Sequence, residues 1–241
     1  MNIQFFKGPV LSMEPTDLLM LNYAAAPEVL QPFVPAGTEL DLLEGSAFVS
    51  VVAFRGVNLR AYRLPLKREV RQINVRFYVR REEAGALRRG AVFLKELVSS
   101  RRVARGGRVG YGEPFEYAPI IASAEEAGEA RIIRYDWGRR EQACSVAAAR
   151  TAPPRAAVAG TPESFFTERH WGYNRTSRGR TREYRVEHPP WLVSPARVVA
   201  APADPGGYKV PVLSEVLMAA PHSAYVVKAT YMSVGEWWLM G

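Results

Sequence analysis

Lysine is scarce in this chain. Of 32 basic residues only Lys7, Lys67, Lys95, Lys209 and Lys228 are lysine, the rest being arginine, so chemistry that needs an amine nucleophile has few places to reside. Cysteine is scarcer still: Cys144 stands alone, which excludes an internal disulfide and a thiolate metal site and fits a reducing cytoplasm. The three histidines, His170, His188 and His222, lie in separate segments without a His-x-x-x-His pair, so no metal or other cofactor is expected. Ser12, Ser99 and Ser100 lack the glycine-flanked elbow of a serine hydrolase. No apolar run reaches the roughly 18 residues of a membrane span. The opening MNIQFFKGPVLSMEP lacks the charged-then-apolar layout of a secretion signal. The expectation is a cytoplasmic protein with no membrane partner.

What the chain does have is apolar content for a core (48 %), together with 18 prolines and 19 glycines that call for many turns. Its net charge is +8, but the arginines are scattered. The densest group, Arg175, Arg178, Arg180 and Arg182, flanks a hairpin turn with Tyr173 and Tyr184 interleaved. No recognised binding motif accompanies it, so it reads as a solvated hairpin and nucleic acid is not the expected partner.

Short strands at close intervals dominate. Thr38–Leu43 and Ser46–Phe54 read as a hairpin across Glu44-Gly45, after a helical turn at Pro27–Phe33. Asn74–Val79 and Gly90–Val98 are strands. Ser99–Arg105 reads as a helix ending at Gly106-Gly107. Ile120–Ser123 and Ala130–Tyr135 flank an acidic turn, EEAGE, and Cys144–Arg150 follows. Thr161-Pro162 opens a helix running to Trp171. Arg180–Glu187, Val193–Ala201 and Tyr225–Val234 complete the strands. Residues 152–162 form a loop within one domain spanning 1–241. The fold class is mainly β (α+β), a curled antiparallel sheet or barrel with a few short helices.

The strand at Asn74–Val79 carries the first candidate site. Val75, Phe77 and Val79 share one face, and Asn74, Arg76 and Tyr78 the other. A guanidinium, an amide and a phenol on one face suit recognition of a carboxylate or carbonyl. Alternatively, that face meets solvent, or Arg76 closes an ion pair with Glu168 or Glu116. Lys95 sits within an apolar strand, where desolvation would make its amine nucleophilic unless it reaches water. His188 is held by Pro189-Pro190 and reads as an acid–base group or as a packed corner with Trp191. In Glu168-Arg169-His170, Arg169 is the expected anchor to a carboxylate.

The order EVRQINVRFYV, GAVFLKELVSS and GGRVGYGEPFEYAPI resembles acetoacetate decarboxylase. There a polar strand leads to a Gly-Arg…Gly-x-Pro-Lys-Lys turn, whose first lysine forms a Schiff base and whose second lowers its pKa. This chain has Gly112-Glu113-Pro114-Phe115-Glu116, with no lysine at either matching position. DLLMLNYAAAPEVLQPFVPAGTELDLLEGSAFVSVVAF, QINVRFYV, GAVFLKEL, TPESFFTERHWGYNR, VEHPPWLVSPARV and APHSAY together resemble the YqjF-like family of that superfamily, from about residue 16 to residue 226. The resemblance implies a cone-like β-barrel around a cavity, implies no reaction, and suggests a homo-oligomer. Two departures stand out: Gln72 replaces the glutamate usual on the polar strand, and His170 replaces an aromatic.

The expectation is therefore a small-molecule-binding protein for an anionic or carbonyl-bearing metabolite. Arg76 would hold the charge, Asn74 and Tyr78 would orient it, and Gln72 would add a neutral polar group. The alternatives are a lyase without a Schiff base, moving protons through Glu116 or His188, and a non-catalytic scaffold.

Overall fold

The computed structural model describes residues 9–127, 130–138, 143–201, 216–217 and 219–240. Lys7 and Lys209, and the tip of the acidic turn at Gly128 and Glu129, lie outside the described residues. In chain order the strands begin with β1 (Leu11–Ala25), β2 (Glu39–Leu40), β3 (Ala47–Ala61), β4 (Leu64–Glu83) and β5 (Ala86–Val98). They continue with β6 (Phe115–Tyr117), β7 (Ile120–Ala127), β8 (Ala130–Trp137), β9 (Cys144–Arg150) and β10 (Arg155–Ala156). They end with β11 (Trp171–Arg175), β12 (Thr181–Glu187), β13 (Leu192–Ala200), β14 (Ser223–Lys228) and β15 (Met232–Met240). The helices are α1 (Pro27–Leu30), α2 (Arg101–Tyr111) and α3 (Pro162–Thr167). Among the described residues no helix is long and apolar enough to cross a membrane.

Strand β1 organises the topology by pairing with two strands in succession along one edge. Leu11–Met13 pair with β15, whereas Leu18–Asn22 pair with β14. The other edge follows β3 throughout, with a register slip between Thr16 and Leu19 where Asp17 adopts φ 49°. Asp17 is held there by Arg131 (2.6 Å) and Arg55 (3.2 Å), and its carbonyl accepts from the Tyr135 hydroxyl at 2.8 Å. The first half of β1 thus closes the ring β1-β3-β4-β5-β11-β12-β15, and the second half starts the arm β14-β13-β9-β8-β7.

The wall β1-β3-β4-β5 is covered on both faces. Ile73, Val75, Phe77 and Val79 of β4 join one core with Ile133, Tyr135 and Val146 of the arm. The opposite face, with Gln72, Asn74, Arg76 and Tyr78, looks into the ring. The alternation read from the sequence is the one observed.

Other boundaries move for local reasons. Helix α2 runs through Gly106-Gly107 and stops at Gly112, which takes the left-handed cap (φ 67°). Gly107 is occupied by packing instead, since a Cβ there would lie 2.3 Å from the Phe115 ring. The expected hairpin at 38–54 survives only as a Leu43–Ser46 bridge, because Glu39 and Leu40 pair with β4. The run Tyr225–Val234 is two strands, β14 and β15. Helix α3 opens as expected, with the Thr161 hydroxyl accepting from Ser164 N, but it ends at Thr167 and Trp171 begins β11.

Helix α3 stops where Arg169 turns back into the protein. The Arg169 guanidinium is buried, pairs with buried Asp41, donates from Nε to the Phe165 carbonyl at 2.6 Å, and stacks over Phe165 and Tyr78. Arg169 is therefore the anchor that the sequence suggested. Removing one partner of such a pair strands an uncompensated charge in the core. Asp41→Ala is expected to lower unfolding stability in urea by about 3–5 kcal/mol, whereas breaking the exposed Arg155–Glu163 pair costs less than about 1 kcal/mol.

Candidate functional site

The ring encloses a cavity of about 120 Å³ whose walls are mainly apolar, with Met20, Val52, Phe54, Phe93, Phe115 and Trp191 among them. Against this background one polar wall is conspicuous. It begins on β4 with Gln72, Asn74 and Arg76 and continues across β5.

A β-bulge in β5 decides what that neighbouring strand contributes. Val75 pairs with Lys95 but Arg76 pairs with Phe93, so Leu94 is one residue too many. Before the bulge, Ala91 and Phe93 face the cavity; after it, Glu96 does, directly opposite Asn74. Bulges of this kind re-aim side chains. Lys95 is turned to the other face, where it pairs with Glu116. Two of the residues singled out as acid, base or nucleophile therefore neutralise each other outside the cavity.

The second carboxylate arrives from the end of α2. Gly112 in its left-handed cap lets the chain turn at once, and Pro114 fixes the exit, so Glu113 is directed inward. A side chain at residue 112 would be strained by the left-handed backbone (φ 67°) and would have to displace the Arg182 guanidinium, whose Nη1 lies 2.7 Å from the Cβ position. The Tyr184 hydroxyl donates to Glu113 Oε1 at 2.5 Å, and its ring lies where a Cβ on Gly172 would otherwise sit. Glu96 Oε1 accepts from Gln72 Nε2 at 2.9 Å. Each carboxyl thus has one oxygen held by a neutral donor, while Glu96 Oε2 and Glu113 Oε2 are buried without a protein partner.

Burial is the main cause of the electrostatics. It raises the Glu96 carboxyl well above the ordinary range, the nearby Glu113 charge raises it further, and the Gln72 bond opposes both. Burial likewise pushes Glu113 up to about 7, against the lowering effects of Tyr184, Asn174 and Arg182. Two carboxyls near each other in a poorly solvated site cannot both ionise cheaply.

The remaining candidates have mixed positions. Arg76 lines the cavity and forms no ion pair with Glu168 or Glu116; it donates from Nη2 to the Phe166 carbonyl at 3.1 Å, and its Nε is buried without a partner. Tyr78 is on the same strand face but is covered by Phe165 and Phe166, with its hydroxyl 2.6 Å from Ser50 Oγ. His188 lines the cavity in a stack between His170 and Trp191, at 4.6 and 4.1 Å. Burial lowers its pKa, partly offset by its bond to the Pro189 carbonyl. His222 packs against Phe48 instead. Among the described residues no group of His, Cys, Asp and Glu is placed to hold a metal ion.

The hairpin read as solvated surface is solvated at its tip, where Arg175, Arg178 and Arg180 are exposed, but for its strands that reading is corrected. Tyr173 is buried and donates to Glu183 at 2.9 Å, Tyr184 lines the cavity, and Arg182 lies over Trp237 beside Gly112. Sequence reading missed Glu96, Glu113, Arg182 and Tyr184. Its usable signals were an acid in the middle of an apolar strand and a glycine-acid-proline turn after a helix.

The two raised acids make a sign-specific prediction. The folded protein binds these protons more tightly than the unfolded chain, so their contribution to stability is largest at low pH and falls as pH rises from 4.5 through about 7. Glu113→Gln is expected to flatten that fall and, at pH 8, to exceed wild type by on the order of 2–3 kcal/mol in urea unfolding. An unchanged pH slope would count against this assignment.

Comparison with known proteins fits this geometry. The chain is 28 % identical over 186 residues to the uncharacterized protein YqjF of Bacillus subtilis (strain 168), covering 75 % of this chain and 73 % of that one. Acetoacetate decarboxylase from Legionella pneumophila superposes with TM-score 0.64 at 13 % identity, over 97 % of this chain and 88 % of that one. An acetoacetate decarboxylase-like enzyme from Sphingomonas wittichii RW1 gives 0.61 at 14 %, over 97 % and 94 %. The enduracididine biosynthesis enzyme MppR complexed with pyruvate gives 0.63 at 14 %, over 98 % and 92 %. These likenesses establish a sheet-dominated, acetoacetate decarboxylase-like fold. With residues 12–219 matching its family model, the chain belongs to DUF2071, a family of uncharacterized conserved proteins.

Proposed function

We propose that the cavity binds a small metabolite bearing a carbonyl or carboxylate group, and that it does so without a Schiff base. The observation that carries this reading is the set of buried polar atoms with no protein partner on an otherwise apolar cavity: Asn74 Oδ1, Arg76 Nε, Glu96 Oε2 and Glu113 Oε2. Buried polar atoms are nearly always paired, so atoms with no partner among the described residues, on four residues that line one cavity, favour a polar guest there.

Size narrows the guest. An apolar cavity of about 150 Å³ accepts benzene, so about 120 Å³ suits a molecule of few heavy atoms. Pyruvate, which a protein of the same fold binds, is of that class. Arg76 supplies the positive charge, while Asn74 and the two carboxyls offer hydrogen bonds to a carbonyl. Among the described residues no lysine lines the cavity, which supports binding without an imine.

Thermal-shift measurements with pyruvate, 2-oxobutyrate and acetone test this. A ligand at 100 times its Kd stabilises the fold by about 2.7 kcal/mol, so wild type is expected to melt measurably higher with at least one compound. Arg76→Ala is expected to lose the shift for the acids, and borohydride treatment with the ligand is expected to leave the protein mass unchanged. No shift from any compound, with Arg76→Ala merely melting earlier, would make Arg76 a brace for α3 and overturn the proposal.

A further inference from the structure

We propose that Glu96 and Glu113 form an acid–base pair that interconverts keto and enol forms of the bound molecule, an inference resting on the binding reading above. The geometry is that of two carboxyls reaching one cavity from adjacent segments. The backbone N–H of Glu96 donates to the Pro114 carbonyl at 3.2 Å, which brings β5 alongside the turn carrying Glu113. Each acid keeps one oxygen on a neutral protein donor, and the other is buried without a hydrogen bond within 3.5 Å to a described residue, the Asn174 amide lying near Glu113 and favouring its charged form.

Their surroundings divide the roles. Glu113 has the Tyr184 hydroxyl and the nearby Arg182 cation, both of which favour its ionised form. Glu96 has only the Gln72 amide, so it is the member that keeps the proton. The other titratable or charged groups at the cavity are Arg76 on β4, Tyr111 on α2, Arg169 after α3 and His188 after β12. Arg169 is already paired with Asp41, and burial holds His188 toward its neutral form.

In the forward step the C–H bond next to the carbonyl breaks and its proton passes to Glu113 Oε2. The electron pair moves into the C–C bond, and the carbonyl oxygen takes the proton of Glu96. Ketone, carboxylate and carboxylic acid become enol, carboxylic acid and carboxylate, with no oxidant or second substrate. The reverse step restores the original pair, and in D₂O it leaves deuterium on carbon. A simultaneous demand for a base at carbon and an acid at oxygen is what a singly protonated pair satisfies.

The test follows methyl or methylene proton loss in D₂O by NMR for the compounds that shift the melting point. Wild type is expected to catalyse exchange with a bell-shaped pH dependence. Glu96→Gln and Glu113→Gln are each expected to slow exchange by about 100-fold or more when compared with wild type at ligand concentrations that saturate each protein's own melting shift. Tyr184→Phe removes a donor that favours ionised Glu113, so it is expected to move the acidic limb of the profile to higher pH. A structural role for Tyr184 would not move that limb. Binding without exchange in wild type, or exchange undiminished in either glutamine variant, would overturn the acid–base pair and leave the binding proposal standing. Absence of any melting shift would overturn both.

Discussion

A sheet with protein on both sides has no solvent face on which to place a polar side chain. That constraint governs β1, β3, β4 and β5: most residues of their central stretches belong either to the core shared with β7, β8 and β9 or to the packing inside the ring. A polar residue in such a wall must be paired within the protein or must face the cavity. Asn22, Ser50 and Tyr78 are of the first kind and bond to one another. Gln72 and Asn74, with Glu96 beside them, are of the second.

The same constraint explains why the cavity holds acids in a protein of net charge +8. Arginines are numerous, but most reach water or pair with exposed and half-buried carboxylates such as Glu39 and Glu69. Among the described residues Arg76 and Arg182 approach the interior without an ion pair, and both lie over aromatic rings. A flat guanidinium can lean on a ring face and remain charged with little water. The carboxyls have no such recourse and respond to burial by holding protons. The chemistry of the pocket is therefore set by how each type of group tolerates desolvation, more than by the overall count of charges.

Much of this was legible in the sequence where the determining interactions are local. Alternation along Asn74–Val79 gave the two faces of β4, and Thr161-Pro162 gave the start of α3. The family-level order of segments gave the fold. What escaped depends on contacts distant in sequence. Tyr184 looks exposed beside its arginines until β12 is paired with β15 and laid against Glu113, 71 residues earlier. Helix α2 seemed to end at Gly106-Gly107 because nothing local announces that the Phe115 ring needs the space at Gly107. Lys95 and Glu96 are neighbours on one strand, and simple alternation cannot say which of them faces inward once an extra residue lies between them and Phe93.

That extra residue sets which of two neighbouring side chains enters the cavity. With Leu94 accommodated as a bulge, Glu96 stands opposite Asn74 and Lys95 is turned away. Deleting the codon for Glu96 would leave a strand that alternates without interruption, with Phe93, Lys95 and Val98 on the inward face and Leu97 still on the other. An amine would then occupy the acid's place beside Glu113, and no residue would have been substituted. On this frame an acid pocket and an amine pocket are separated by a change of length rather than a change of letter, so alignments that close such gaps silently would pair residues on opposite faces of the sheet.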